Sequence, residues 1–137
     1  MNLIAPLLQT PHTFAIVGAS QDPSKYGYEV FETLLRYGHR VLPINPKYKE
    51  IDGQTCYPSL ADLPQIPDVV LTAAPASLSE KIAETCAALG IQYFWMPPGT
   101  ETEAALEICK QNNVTAIHRF CPVFVLKLPR ERWVELP

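Results

Sequence analysis

Apolar residues along this chain come in short runs, and the period of the runs alternates between two and three-to-four residues. Residues 13–18 (TFAIVG) form a run of strand length with β-branched content that stops on glycine. In residues 28–38 (YEVFETLLRYG), Val30, Phe31, Leu34 and Leu35 share one helical face, and Gly38 stands where a helix end is capped. A second strand is predicted over 40–46 (RVLPINP). Pro43 lacks a ladder donor, so that strand should be short, with Pro43 at its C-terminal end. Residues 47–67 read as irregular, apart from a helical turn at 59–63. Residues 68–74 (DVVLTAA) are apolar nearly throughout, as a strand buried on both faces should be. The clearest helix is 77–90: Ser77 and Glu80 fit a capping box, Leu78, Ile82, Cys86 and Leu89 form an inner face, and Gly90 ends it. A strand at 91–96, a helix at 101–113 with Ala105, Ile108 and Cys109 facing in, and a strand at 114–120 complete the alternation. Residues 2–9 (NLIAPLLQ) read as a short helix or arm, and an apolar tail runs from Cys121.

Strands alternating with helices of these lengths predict an α/β fold. The expected form has three layers: an open parallel sheet of about five strands with helices on both faces. Residues 1–137 are expected to make one domain, with a core at about 10–125, an N-terminal arm at 1–9 and a tail at 126–137. In such a sheet a ligand crevice lies at the carboxyl ends of the strands, at the switch point. The loops there are Gly18-Ala19-Ser20, Asn45-Pro46-Lys47, Ala74-Pro75-Ala76, Pro97-Pro98-Gly99 and residues 118–121.

Composition narrows the partners. Hydrophobic residues are 47% and charged residues 18% of 137, a globular balance that excludes a disordered chain. The net charge of −3 and pI of about 5.6 argue against nucleic acid, whose phosphates need clustered Lys and Arg. A small phosphorylated ligand stays open, since it needs only a local patch and backbone donors. Apolar runs fall short of the ~20 residues of a membrane helix. The start has no basic segment before an apolar stretch, so no secretory signal is read and a cytoplasmic location is expected. Cys56, Cys86, Cys109 and Cys121 form no C-x-x-C pair, so reduced thiols are expected, without structural zinc.

Gly18-Ala19-Ser20 lets backbone amides approach a ligand, with Ser20 adding a hydroxyl. Gly27 sits near the next helix start, whose free N–H groups favour an anion, and Lys25 adds a full charge. The segment reads equally as a pyrophosphate cradle or as a tight turn with a surface lysine. It is neither the dinucleotide fingerprint, because Ser20 and Pro23 stand where glycines would be needed, nor a Walker A loop. The second strand ends on Asn45 rather than the acid that accepts from an NAD ribose, which weakens an oxidoreductase reading. Asn45, Lys47 and Lys49 suit the adenosine half of a nucleotide, with the lysines as point charges for a ribose phosphate; a solvated turn is the alternative. His118 and Cys121 have no orienting third group between them, so Cys121 reads as structural. Trp95 and Met96 are expected in the core, Gly99 in a ligand-facing loop, and His39 capping a helix end through its donor and charge. The apolar tail, with Val123, Phe124, Val125, Leu126, Leu128 and Trp133, either pairs two copies or folds back on its own sheet, the second being preferred.

The ordered set Gly18-Ala19-Ser20, Ser24-Lys25-Tyr26-Gly27, Asn45-Pro46-Lys47, Glu50-Ile51-x-Gly53 and Tyr57-x-Ser59-Leu60 resembles the small CoA-binding proteins, a Rossmann-like family. A Trp-x-x-x-Gly loop at 95–99 and a later strand ending in Cys121 extend the resemblance over about residues 10–125. The CoA-binding domain of succinyl-CoA synthetase α subunits is similar, including at Ala74-Pro75-Ala76 and Cys121-Pro122. The resemblance implies that coenzyme A or an acyl-CoA lies across the strand ends. Gly18, Ala19, Ser20 and Lys25 would hold the pyrophosphate, with Ser24, Tyr26 and Gly27 in the same stretch. Asn45, Pro46 and Lys47 would line the adenosine and its ribose phosphate. Ala74 and Pro75 would wall the adenine or the start of the pantetheine, and Gly99 would lie by the pantetheine arm. Pro97 departs from the Gln usual in that loop. With no catalytic constellation visible, a non-catalytic binding or regulatory module is expected. The rivals are an NAD(P)-binding or degenerate oxidoreductase and a protein-interaction domain with a vestigial crevice.

Overall fold

The computed structural model describes residues 4–135. In chain order the elements are α1 (Ile4–Gln9), β1 (Thr13–Val17), α2 (Tyr26–Arg36), β2 (Arg40–Ile44), β3 (Glu50–Ile51), β4 (Gln54–Thr55), β5 (Val69–Thr72), α3 (Ser79–Leu89), β6 (Tyr93–Met96), α4 (Glu103–Gln111), β7 (Thr115–His118) and α5 (Pro122–Leu126). Single 3-10 turns stand at Leu60–Asp62 and Ala76–Leu78, and a longer one at Arg130–Glu135. Five strands form a parallel sheet in the order β2-β1-β5-β6-β7, and β3 and β4 form a separate antiparallel hairpin.

Because the order steps outward in opposite directions from β1 and β5, one crossover hand puts the helices on opposite faces. α2 covers the face that carries Phe14, Ile16, Val41, Val69 and Leu71, while α3 and α4 cover Ala15, Leu42, Val70, Phe94 and Met96. α2 does not reach the whole of its face. Trp95 and Ile117 on that side share their core with Ile4, Leu7 and Leu8 of α1, and with Val123, Val125, Leu126 and Trp133 of the tail. Those tail residues are therefore spent on the chain's own sheet, as the folding-back reading required. Trp95 has no exposed surface, and its Nε1 donates to the Phe120 carbonyl at 2.7 Å.

Four local expectations need correction. Pro43 lies one residue inside β2, paired with Ile16, rather than at its end. β2 is an edge strand, and the Pro43 carbonyl points away from β1 to accept from Tyr57 N at 2.9 Å, so the missing N–H also faces outward and costs no ladder bond. Ser77 and Glu80 form no capping box. A 3-10 turn precedes α3, which begins at Ser79, and the Ser79 hydroxyl donates instead to the Thr100 carbonyl at 2.6 Å. His39 is no charged cap: it is buried, and its Nδ1 accepts from the His12 amide at 3.1 Å, which requires the neutral ring. Burial first, and then His12, hold its pKa below the ordinary histidine value. Finally, the stretch read as irregular contains the β3–β4 hairpin, turned by Asp52 and Gly53, both at positive φ (47° and 80°).

Candidate functional site

The carboxyl ends of β1, β2 and β5 meet where the strand order reverses. Gly18 makes that meeting close. A Cβ at Gly18 would lie 2.9 Å from both Ala73 C and Ala74 N, and its φ is +87°. Only glycine lets the chain turn there against the end of β5. Gly27 makes a second close approach, since a Cβ on it would lie 2.2 Å from the Gly18 carbonyl oxygen. The first turn of α2 thus rests directly on the loop after β1.

A cavity of about 500 Å³ opens at this junction. Its walls are Val17 and Gly18 at the end of β1, Ile44, Asn45 and Pro46 at the end of β2, residues 58–61, Ala74, and Leu78, Lys81, Ile82 and Thr85 from α3 and the turn before it. The lining is largely aliphatic, which suits a flat apolar ring. A second depression, of about 400 Å³, shares no lining residue with the first and is formed by residues 23–26, Tyr28, Glu29 and Glu32.

The expected site residues divide between these places. Gly18, Asn45, Pro46 and Ala74 line the cavity, with exposed Pro75 following Ala74. Ser24, Lys25 and Tyr26 line the second depression. Ala19 is in the core, and buried Ser20 accepts the Asp22 amide on its hydroxyl at 3.0 Å, leaving the hydroxyl proton to donate. Lys47 is exposed and lines neither depression. Gly99 lies outside both as well. It occupies a turn closed by Thr100 N on the Pro97 carbonyl at 3.0 Å, and its amide donates to Glu101 Oε1 at 3.0 Å. The Tyr26 hydroxyl is buried beside Cys121, and burial pushes its pKa up, with Cys121 adding to the shift.

The side chain of Asn45 is committed within the protein. Nδ2 donates to the Ala19 carbonyl at 2.8 Å, and Oδ1 accepts from Lys47 N at 2.9 Å. It pins the loop after β1 to the loop after β2. The β3–β4 hairpin adds two further ties: Gln21 Nε2 donates to the Glu50 carbonyl at 2.8 Å, and the Tyr28 hydroxyl donates to Asp52 at 2.6 Å. Asp22 organises the turn into α2. The Ser24 hydroxyl and amide both donate to its carboxylate and hold its pKa below the usual range. The loop that faces the crevice is therefore built in advance, at α2's uncapped N-terminus.

Sequence reasoning missed Lys81 and residues 58–61. Lys81 follows Leu78 by three residues and Thr85 follows it by four, so all three share a helical face. The helix follows Ala74-Pro75 at the crevice, so its first turns had to lie there; that was the signal.

The fold is that of a Rossmann-like α/β protein, with an open cavity at its switch point. The chain belongs to the CoA binding domain family, whose model matches residues 12–127. An ADP-forming acetate–CoA ligase of Methanocaldococcus jannaschii is 35% identical over 82 residues, covering 60% of this chain and 12% of the ligase. The chain thus spans about an eighth of that ligase's length. A conserved hypothetical protein from Pyrococcus furiosus superposes with a TM-score of 0.78 at 33% identity, over 82% of this chain and 97% of that one. A hypothetical protein from Pyrococcus horikoshii OT3 gives 0.84 at 29% identity, over 88% and 85% of the two chains.

Proposed function

We propose that this chain binds coenzyme A or an acyl-CoA across the ends of β1, β2 and β5. It acts as one binding or regulatory unit that leaves chemistry to a partner. The carrying observation is the apolar cavity at the switch point, walled by Gly18, Asn45, Pro46 and Ala74, in a chain whose match to the CoA binding domain spans 12–127. The adenine enters the aliphatic cavity. The diphosphate lies over Gly18–Ser20, on which the first turn of α2 rests, where the helix dipole favours an anion and Lys25, the residue before α2, supplies charge. The ligand then bridges the two depressions, so neither has to be large enough alone. Burial raises the pKa of Cys56, Cys86 and Cys109, that of Cys86 to about 12, so these are thiols rather than nucleophilic thiolates.

The test is a melting-temperature series with CoA, acetyl-CoA, NAD and NADP. At 100 times the dissociation constant a ligand stabilises by about 2.7 kcal/mol, a shift of several degrees at this size. The expected result is a shift with CoA or acetyl-CoA and none with the nicotinamide nucleotides. A shift with NAD or NADP alone would replace the proposal with a dinucleotide-binding one, and no shift with any of the four would leave an interaction domain.

A further inference from the structure

The cavity has one charged wall residue, and it comes from a helix rather than from the strand-end loops. We propose that Lys81 reads the phosphate on the adenosine ribose and makes the site selective for a phosphorylated adenosine end; this rests on the CoA reading above.

Four side chains with polar ends line the cavity: Asn45, Ser59, Lys81 and Thr85. Three of them are already engaged inside the protein. Asn45 is held at both carboxamide atoms, the Ser59 hydroxyl donates to Asp62 at 2.7 Å, and the Thr85 hydroxyl donates to the Lys81 carbonyl at 3.1 Å. Lys81 is different. Among the described residues the ion pair recorded is Arg36–Glu32, so no carboxylate lies within 4.0 Å of the Lys81 ammonium. No acidic residue lines the cavity either. A cation with three free donors at the edge of an aliphatic pocket is matched by an apolar ring system that carries an anionic substituent.

The placement is set by the helix. Leu78, Lys81, Ile82 and Thr85 recur at the spacing of one helical face, and all four line the cavity. Ile82 is buried, Leu78 is 46% exposed, and Lys81 is exposed at the rim between them. The aliphatic stem of Lys81 can cover the apolar wall while its ammonium stays at the mouth. A phosphate there would be bound as by a point charge, without a fixed fork geometry. Lys47, which the sequence offered for the same task, is exposed and lines neither depression.

The experiment is calorimetric titration of CoA and dephospho-CoA into the wild type, Lys81→Met, Lys81→Arg and Lys47→Met. Methionine keeps much of the stem and removes the charge. One charge-assisted contact at a solvent-open rim makes a preference of about tenfold for CoA in the wild type. Lys81→Met should bring the two ligands to within about twofold while leaving dephospho-CoA binding unchanged, which also shows that the variant is folded; Lys81→Arg should keep the preference. A wild-type ratio surviving in Lys81→Met, an equal loss of both ligands there, or loss of the ratio in Lys47→Met would overturn the assignment. Equal wild-type affinities would overturn it while leaving the CoA reading intact. A wild type that binds neither ligand would remove the CoA reading, and Lys81's role with it.

Discussion

Gly27→Ala sets two effects against each other, and their sizes decide the sign. Alanine is favoured over glycine inside a helix by up to about 1 kcal/mol, with less to gain in the first turn, where Gly27 sits. Against this, the new Cβ would lie 2.2 Å from the Gly18 carbonyl oxygen and 3.2 Å from its carbon. The contacted atoms are backbone, and Gly18 has no room to retreat: its amide donates to the Ile44 carbonyl at 3.0 Å, and Ala73 and Ala74 stand behind it. α2 must therefore lift at its start, which disturbs the packing of Val30, Phe31 and Leu34, all without exposed surface. Overpacking of this kind costs about 1–3 kcal/mol, so a net loss near 2 kcal/mol is expected after the propensity gain. For a protein of this size that lowers the midpoint by about 6–10 °C. Thermal and urea unfolding followed by circular dichroism measure it. An unchanged or raised midpoint would show that α2 does not rest on the loop after β1, and would remove the basis for a preformed crevice.

Lys25→Ala should weaken CoA by about 1.5–3 kcal/mol if the diphosphate lies at the start of α2, and an unchanged calorimetric affinity would take Lys25 out of the site. The folded pKa of His39 is depressed, so the unfolded chain binds its proton first as the pH falls. The associated stability is present above the unfolded value of about 6.5 and is lost as the pH drops through the folded pKa. Melting curves from pH 7.5 to 5 should fall accordingly, and more steeply than those of His39→Gln, whose amide oxygen can still accept from His12; parallel curves would contradict this. Deleting the chain after Cys121 removes the buried side chains of Val123, Val125, Leu126 and Trp133, each worth about 1.5–3 kcal/mol or more, a sum comparable to a whole folding free energy. The truncated chain should fail to give a cooperative melt, and a stable truncated monomer would refute the packing of the tail on its own sheet.

The sheet was legible because its strands are buried on both faces and so appear as unbroken apolar runs, as in Val69–Thr72, with no need to guess a register. The helix α2 was legible from Val30, Phe31 and Leu34, which lie together against β1. Less came through where a local pattern had to compete with tertiary structure. The Ser77/Glu80 pair obeys the capping rule, but the chain leaving Ala74-Pro75 spends a 3-10 turn before the helix begins, and Ser79 is claimed by Thr100. The β3–β4 hairpin was announced by Asp52-Gly53, a strong turn signal that the brevity of both strands concealed. Leu78 was placed in the core with Ile82, yet it stands at the cavity mouth, because hydrophobic periodicity does not distinguish a buried face from one that lines a pocket. The same ambiguity hid Lys81: a charged residue beside an apolar stripe reads as solvated until the sheet order shows what the helix end overhangs.

Pro43 and its partner Tyr57 also govern what the molecule can do to its neighbours. An edge strand normally offers a row of open donors and acceptors to which another copy can add, the route by which sheets run on into aggregates. On β2 that row is closed at its carboxyl half: the proline has no donor to offer, the Tyr57 amide donates to the Pro43 carbonyl, and the Tyr57 carbonyl accepts from Asn45 N, each at 2.9 Å. Sheet continuation is thereby discouraged on the side that carries the crevice loops, and strand addition is left to the opposite border at β7.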